Sequence, residues 1–208
     1  MNKKKRLDNI LFVVAIIVIV LALVNLGITF YKFGGLDKLT GNAAVDIGTA
    51  NLTIQSFLTV NFTTQMIDWG NGVVADGFGN ATLDSSNGTI TNWNGTSNNV
   101  GLILRNDGNV NALINLTASN NASTFIGGSD FEGPLYEIKT SSNETGSCVS
   151  GLASTYYTAN TSSMPSCGNL TFITSNDTLR IDVRIRIPSD SLPGAKGSTI
   201  TATATAIA

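Results

Sequence analysis

Hydrophobic residues follow two different patterns along this chain, and the change between them lies just after residue 30. From Ile10 to Phe30 the chain is apolar apart from three residues, and it has no polar stripe of helical period. A helix of this length is about 31 Å long, which matches the hydrocarbon core of a bilayer. The pattern therefore predicts a transmembrane helix over residues 10–31.

Positive charge precedes this apolar run and predicts the orientation of the helix. Four basic residues stand together near the N-terminus, namely Lys3, Lys4, Lys5 and Arg6. Basic flanks stay on the cytoplasmic side of a membrane helix, so residues 1–9 are expected inside and the rest of the chain outside. Residues 32–44 are expected to form a short juxtamembrane linker, and residues 45–208 an extracellular domain.

Two other interpretations of the N-terminus are open. A secretory signal peptide has a shorter apolar region and a small-residue cleavage site, and the nearest match, Gly41–Ala44, lies well beyond the apolar run. A type IV pilin has a Gly or Ala processing site before the apolar run and an early Glu after it, whereas Leu7–Asn9 stands here. A retained signal-anchor is favoured over a cleaved signal and over a pilin-like subunit.

Beyond the linker, apolar residues alternate with polar ones, which is the period of β-strands. The clearest strand covers residues 179–187, where five apolar residues alternate with four charged ones. Further strands are predicted over residues 52–62, 100–104, 110–116, 170–172 and 199–206. A hairpin-turn signal, Asn106–Asn109, separates two of them. Short strands divided by Gly, Asn and Ser predict an all-β ectodomain, an antiparallel β-sandwich of Ig-like or jelly-roll type.

The composition excludes several kinds of catalytic and metal site. The 208-residue chain has no histidine and two cysteines, so it has no His-based triad, no His-ligated metal and no four-cysteine zinc site. Residues 40–208 carry six basic and twelve acidic residues, a balance of −6 that argues against nucleic acid as a partner. We expect no catalysis, cofactor or metal. A glycoside hydrolase, which needs only a carboxylate pair, is the weakest alternative.

Cys148 and Cys167 are the two cysteines. In a domain outside the cytoplasm they are expected to form a disulfide, which would close a loop of about 20 residues and stabilise the fold by about 3 kcal/mol. Free or intermolecular thiols are the alternative.

Acceptor sequences for N-glycosylation are frequent. Gly, Ser, Thr and Asn make up 88 of the 208 residues, and the chain holds eleven N-x-Ser/Thr sequons. The eleven asparagines are Asn51, Asn61, Asn80, Asn87, Asn94, Asn115, Asn121, Asn143, Asn160, Asn169 and Asn176. In a chain that faces outside, some are expected to carry glycans. The alternative is an Asn- and Thr-rich surface without sugar.

Two charged motifs have an ordinary interpretation beside a functional one. Asp107–Asn111 matches the start of a calcium loop, but Ala112 and Ala118 stand where the loop needs Gly and Glu, so a turn is favoured. The arginines of residues 180–186 would dock an acidic polysaccharide or a like subunit, but a solvated strand face that discourages edge-to-edge aggregation is favoured.

Trp69 and Trp93 are candidate sugar-stacking platforms, as in a lectin-like, carbohydrate-binding module. Trp69 is flanked by Asp68 and Gly70, and Trp93 by two asparagines. Packing at the core or at a strand end is the commoner role for an isolated tryptophan, and it is favoured here.

Three segments carry a resemblance to known proteins: Trp69–Val73, Gly101–Asn111 and Ile187–Gly194. Together with the N-terminal anchor they resemble uncharacterised archaeal membrane-anchored cell-surface proteins and the Ig-like or TasA-like β-sandwich domains of surface proteins. The resemblance implies a sandwich and no catalytic residues. Some similar sandwiches form filaments by donating a terminal strand, and the alternating segment Gly197–Ala208 would suit that use.

Taken together, these patterns predict a single-pass membrane protein whose glycosylated, disulfide-linked sandwich lies on the cell surface. Its expected role is structural or adhesive, as an envelope or filament-associated protein. The helix Ile10–Phe30 makes the membrane a partner, and envelope polysaccharide or like subunits are the other candidates.

Overall fold

A computed structural model of the protein describes residues 3–33, 51–96 and 100–207. The chain divides into two compact units, Met1–Thr53 and Ile54–Ala208. Residues 34–44 of the predicted linker lie outside the described residues.

Among its described residues the first unit has a long helix, α1, which covers Lys3–Phe33. Its segment Asn9–Lys32 is long and apolar enough to cross a membrane, and its most apolar stretch is not buried by other parts of the protein. Apolar residues surround the whole helix, so no side of it is suited to pack on a soluble core. The predicted apolar helix over residues 10–31 is confirmed as a helix able to span a bilayer.

The described residues of the second unit form twelve strands and one helical turn. The strands are β1 Val60–Thr64, β2 Gly72–Val74, β3 Asn80–Asp84, β4 Ile90–Thr91, β5 Trp93–Gly95, β6 Leu102–Asn106, β7 Ala112–Ala118, β8 Leu135–Ser142, β9 Tyr157–Thr158, β10 Met164–Leu170, β11 Thr178–Pro188 and β12 Ile200–Ala206. The helical turn α2, Ala122–Phe125, has Asn121 as its N-cap. All strand pairs are antiparallel, which confirms the predicted all-β class.

The long strand β11 organises the larger, seven-stranded sheet. Along one of its edges β6 pairs with Thr178–Ile181 and β3 pairs with Arg184–Pro188, while β8 pairs with the other edge over Leu179–Arg186. The smaller sheet has the order β10–β7–β12, and β2 pairs with β5 in a separate ribbon.

One hydrophobic core joins the two larger sheets in a sandwich-like arrangement. Residues of β7 alternate between buried and half-buried over its whole length, because successive side chains point to opposite faces of a sheet. Ile114 and Leu116 of the smaller sheet belong to the same buried cluster as Leu104, Ile138 and Ile181 of the larger sheet. Burial of apolar surface at about 25 cal/mol per Å² is the main stabilising term for such a core.

Residues 148–159, which we call the covering segment, close one side of the sandwich. The N–H of Val149 donates to Asn169 O at 2.8 Å and the N–H of Ala153 donates to Ser166 O at 2.9 Å, so the segment lies along β10. Further on, it lies along β8, where the N–H of Thr140 donates to Ala153 O at 2.8 Å and the N–H of Ala159 to Tyr136 O at 2.9 Å. The same segment therefore covers an edge strand of each sheet.

The predicted hairpin at Asn106–Asn109 is wrong, because β6 and β7 belong to different sheets. The turn instead carries the chain from one sheet to the other. Asn106 is buried in this corner, where its side chain accepts from the N–H of Gly108 at 3.1 Å and donates to Val110 O at 2.9 Å. These bonds satisfy backbone groups that hairpin pairing would otherwise have to satisfy.

The predicted strand over residues 52–62 is shorter than expected, since β1 begins only at Val60. Its partner β6 ends opposite that residue, at Asn106, so the preceding segment has no strand beside it in the sheet. Residues before β1 are instead held by the turn, where the N–H of Asn109 donates to Phe57 O at 2.8 Å. Leu52 and Ile54 remain 84% and 79% exposed.

The strand expected at residues 170–172 lies earlier, because β10 covers Met164–Leu170 and ends where the prediction began. The pairing of β10 with β7 shifts register twice, between Pro165 and Cys167 and between Cys167 and Leu170. Each irregularity interrupts the alternation of side chains, which removes the period-2 signal from the sequence.

Candidate functional site

The charged face of β11, singled out by its arginines, is a network of ion pairs. Arg180 Nε lies 2.8 Å from Asp182 Oδ1, Arg184 Nε lies 2.8 Å from Glu137 Oε2, and Arg186 is paired with Glu132. Alternation along the strand puts the charges on the face opposite the core, and β8 supplies Glu137 directly across from Arg184. Each of the three arginines has a counterion within its own domain, so this face is not an uncompensated basic patch.

Asp182 lies at the centre of this network and is only 2% exposed. Its carboxylate accepts from Ser85 Oγ at 3.2 Å as well as from Arg180 Nε, and the Arg180 Nη2 group donates to Ser85 O at 2.8 Å. A buried carboxylate is costly unless it is paired and hydrogen-bonded, and both conditions are met here.

Gly101 leaves space for this ion pair. A β-carbon at Gly101 would lie 2.6 Å from Asp182 Oδ1 and 3.0 Å from Arg180 Nε. A side chain at this position would therefore displace the ion pair or the strand that carries it.

Tyr156 of the covering segment lies against the same face. Its hydroxyl donates to Asp84 Oδ1 at 2.5 Å, and two cations lie near its ring, with Lys139 Nζ at 4.8 Å and Arg184 Cζ at 4.2 Å from the ring centroid. Cation–π contacts of this kind contribute about 0.5–1 kcal/mol each at exposed sites. Tyr156 thus links the covering segment to the charged face of β11.

The pKa values of Asp84 and Tyr156 reflect this contact. Burial alone raises the pKa of Asp84, but hydrogen bonds from Tyr156 and Ser86 and the charge of Lys139 outweigh burial and hold its pKa below the ordinary value. Burial and the bond to Asp84 raise the pKa of Tyr156 well above its ordinary value. Both shifts favour an ionised carboxylate that accepts a hydrogen bond from a neutral phenol.

Trp69 and Trp93 are half-buried and pack against the hydrophobic core. The indole of Trp93 lies on the β2–β5 ribbon so closely that a β-carbon at Gly72 would be 2.4 Å from its Cε2 atom. Both indole Nε1 atoms are buried, and neither has a hydrogen-bond partner in the described part of the chain. This geometry supports the packing interpretation of the two tryptophans, which were the candidate sugar platforms.

Two of the three side chains that resembled the start of a calcium loop, those of Asp107 and Asn109, make hydrogen bonds within the domain. Asp107 Oδ1 accepts from Arg105 Nε at 2.5 Å, and Asn109 Oδ1 accepts from the N–H of Phe57 at 2.6 Å. The Asn109 side chain also donates to Gln55 O at 2.9 Å. The Asn109 contacts hold the chain that enters the domain against the turn, which supports a turn over a calcium loop, although the turn does not form the predicted hairpin.

The predicted disulfide is present between Cys148 and Cys167, whose Cα atoms are 5.9 Å apart. It connects the start of the covering segment to β10. Val149 and Gly168, the next residue after each cysteine, also take part in backbone hydrogen bonds between the two stretches. The covalent bond therefore reinforces an edge that hydrogen bonds already close.

None of the eleven sequon asparagines is fully buried. Six are exposed and five are half-buried; the exposed ones are Asn51, Asn61, Asn87, Asn94, Asn121 and Asn143. Asn121 is engaged in its helix cap, where its Oδ1 accepts from the N–H of Thr124 at 2.9 Å. Asn87 lies in an exposed turn and accepts from the N–H of Thr89, its own sequon residue, at 3.0 Å.

Three residues important to the charged face were not identified from the sequence, namely Ser85, Asp84 and Tyr156. Ser85 bonds across 97 residues to Asp182, and Tyr156 bonds across 72 residues to Asp84. No local pattern marks such contacts. The sequence gives one indirect signal. Charged residues on a strand imply hydrogen-bonding or oppositely charged partners elsewhere in the chain, but not which residues these are.

No protein-family model, curated protein or solved structure matches this chain.

Proposed function

We propose that this chain is a cell-surface structural or adhesive protein, anchored by α1 as a single-pass membrane protein with its sandwich outside the cell. The observation that carries the proposal is the combination, in one chain, of a membrane-length apolar helix after a basic N-terminus and a disulfide-linked sandwich domain. Disulfides persist in oxidising compartments, and basic residues stay on the cytoplasmic side. Both features favour the same orientation.

The charge distribution of the domain supports a structural role. The arginines of β11 are compensated internally, and the tryptophans pack on the core. Because the arginines and tryptophans make contacts within the domain, a partner would contact other surface side chains and exposed backbone groups. The domain is less suited to bind a polyanion through β11 or a sugar through its tryptophans.

N-glycosylation belongs to this proposal. The six exposed sequons are accessible acceptors, and Asn87 lies in an exposed turn. We expect the protein from its native cells to have a mass above the 21.7 kDa of the chain, in glycan-sized increments. Peptide mapping should place glycans on exposed sequons in preference to half-buried Asn169, whose Oδ1 is buried.

The test of location is surface labelling of intact native cells. External protease should remove the sandwich and leave an N-terminal fragment in the membrane, and immunogold electron microscopy should place the domain on the outer envelope. A sandwich that stays protected in intact cells and becomes accessible only after lysis contradicts the proposal.

The test of role compares cells with and without the gene. Loss of the protein should weaken the envelope or reduce contact between cells, with normal growth on soluble nutrients. If envelope and contacts are unchanged and binding of one soluble glycan is lost, the carbohydrate-binding alternative replaces this proposal.

A further inference from the structure

The outer edge of β12 presents unpaired backbone groups. Thr199 O accepts from the N–H of Ser119 at 2.8 Å, and the N–H of Ile207 donates to Asn111 O at 2.9 Å, so odd-numbered residues of this strand bond to β7. In an antiparallel ladder the even-numbered residues then direct their N–H and C=O groups away from β7. These residues are Ile200, Ala202, Ala204 and Ala206, and within the described ranges β12 pairs only with β7.

This edge has none of the features with which proteins usually protect an exposed strand. Charged residues, proline and bulges discourage pairing with another chain. The strand, Ile200–Ala206, has neither charge nor proline in its seven residues, and its register with β7 is continuous. In contrast, β1 has a register shift between Phe62 and Thr64, and β4 is two residues long.

We propose that β12 pairs antiparallel with β12 of a second copy of this chain, across a twofold axis at Thr203. The proposal rests on the proposed adhesive function and names its partner. The outward-directed groups require even-numbered residues to face even-numbered residues, and an axis at Thr203, the middle of Ile200–Ala206, gives the longest overlap of the two strands. Ala202 then pairs with Ala204 of the second copy, Ile200 with Ala206, and Thr203 with Thr203.

The side chains are compatible with this register on both faces. Thr201, Thr203 and Thr205 are exposed on the outer face, where Thr203 would meet its equivalent and Thr201 would meet Thr205. Cross-strand threonine pairs are favourable, and no like charges oppose one another. On the inner face, half-buried Ala202 would gain cover from Ala204 of the second copy.

A parallel arrangement of the same two strands does not satisfy these groups. In a parallel pair, of two residues side by side only one directs its backbone groups at the other strand. A twofold axis parallel to the strands would place each residue beside its own equivalent. Both residues would then either direct their N–H and C=O groups at the other strand or direct them away, which a parallel pair does not allow. The antiparallel pair is therefore the symmetric solution, and isologous contacts of this kind give closed dimers.

The antiparallel geometry also fixes where the two chains enter their domains. Within one domain the entering chain at Phe57 contacts the turn at Asn109, and that end of the sandwich also holds Ile207, just after β12. Because the paired strands run in opposite directions, the two entry points lie at opposite ends of the dimer. This arrangement suits copies that are anchored in two membranes facing each other.

The register is tested with single cysteines in the full chain, reconstituted in phosphatidylcholine vesicles. The protein is produced in a host without N-glycosylation, because sequon residue Asn115 lies opposite Thr203 on β7. Cα atoms of a non-hydrogen-bonded pair lie about 4.5 Å apart, within disulfide range, so Thr203→Cys should form a dimer under mild oxidation. Thr201→Cys is the matched control, because its two copies would lie about 14 Å apart along the strands.

Vesicle clustering, followed by light scattering, tests whether the pair joins two membranes. Wild-type vesicles should cluster. Vesicles that carry only Thr203→Lys or only Thr203→Glu should cluster at least tenfold more slowly. A mixture of Thr203→Lys vesicles and Thr203→Glu vesicles should cluster at the wild-type rate. Thr174→Lys, a charge of the same sign on an exposed loop, should cluster like the wild type. Near-UV circular dichroism checks that each variant is folded.

Several outcomes overturn the inference. They are equal crosslinking of the two cysteine variants, unchanged clustering by Thr203→Lys, absence of recovery in the mixture, and a wild type that does not cluster. Clustering that depends on Ile54 and not on Thr203 would assign the contact to the exposed segment before β1. The surface labelling of native cells remains a separate test, so the proposed function can survive when the pairing fails.

Discussion

The two lateral edges of the sandwich are built in opposite ways. At the closed edge the covering segment hydrogen-bonds to β8 and β10, a disulfide joins it to β10, and Tyr156 attaches it to the charged face of β11. At the open edge, β12 has no charge and no second neighbour among the described residues.

This difference separates residues that maintain the domain from residues that are available to a partner. The closed edge uses polar groups and covalent chemistry within the domain. The open edge leaves backbone groups to water, which is a tolerable state at a surface but also a template for pairing with another strand. Both edges belong to one domain, so the contrast can be tested by matched substitutions.

The disulfide should give the largest effect on stability. Reduction, or the paired substitution Cys148→Ser and Cys167→Ser, should lower the free energy of unfolding by about 3 kcal/mol, because the unfolded chain gains the freedom of a loop of about 20 residues. Urea unfolding of the full chain in detergent, followed by tryptophan fluorescence, measures the change. The double variant should not respond to reductant, and an unchanged midpoint on reduction of the wild type contradicts the prediction.

On the charged face of β11, a buried ion pair should contribute more to stability than an exposed one. Asp182→Ala removes a 2%-exposed carboxylate that accepts from Arg180 and Ser85, and should cost about 2 kcal/mol. Glu132→Ala breaks the pair with Arg186, but the Glu132 side chain is 72% exposed, so it should cost less than about 0.5 kcal/mol. Equal losses in the two urea midpoints would show that burial does not distinguish these pairs.

Proline substitution compares the two edges directly. Ala153→Pro removes an N–H that donates to Ser166 O at the closed edge, and should cost about 1.5 kcal/mol. Ala204→Pro removes an N–H that points away from β7, so the isolated domain fold should lose less than about 0.5 kcal/mol. Thermal unfolding of both variants, under conditions without vesicle contact, should show the larger loss of stability for Ala153→Pro. A larger loss for Ala204→Pro would mean that the open edge is paired within the chain.

The smallest effect should be a dependence on pH that is confined to the closed edge. The pKa of Asp84 is lowered in the folded protein, so its ionised form contributes stability above the unfolded pKa of about 3.9, and this contribution is lost as pH falls through the lower folded value. The difference in unfolding midpoint between wild type and Asp84→Asn should therefore shrink as pH falls below about 4. Thr203→Asn on β12, where no group titrates, should show no such trend.

Sequence patterns predicted elements most reliably where the element has one clearly apolar surface that must be buried. Residues 179–187 were predicted as a strand because apolar and charged residues alternate, and β11 covers Thr178–Pro188. The helix was equally clear, because a long apolar segment without a polar face is typical of a membrane-spanning helix and not of a helix on a soluble core. The disulfide followed from two cysteines in a domain predicted to lie outside the cytoplasm.

Patterns were less reliable where a partner strand decides the outcome. The alternation at residues 52–58 resembles a strand, yet β6 ends before it and the residues stay outside the sheet. The turn at Asn106–Asn109 has the residues of a hairpin, yet the flanking strands find partners in different sheets. Residue types fix what a segment can do, and distant residues decide which option is used.

The sequence by itself determined the membrane-length helix, the β class of the domain, the cysteine pair and the absence of histidine chemistry, because these depend on composition and local period. Tertiary structure decided the rest. It showed that the arginines of β11 have internal counterions, that the tryptophans pack on the core, and that β12 lies at an edge. The physical reason is that ion pairs and strand order join residues far apart in the chain, whereas hydrophobic periodicity is written in neighbouring residues.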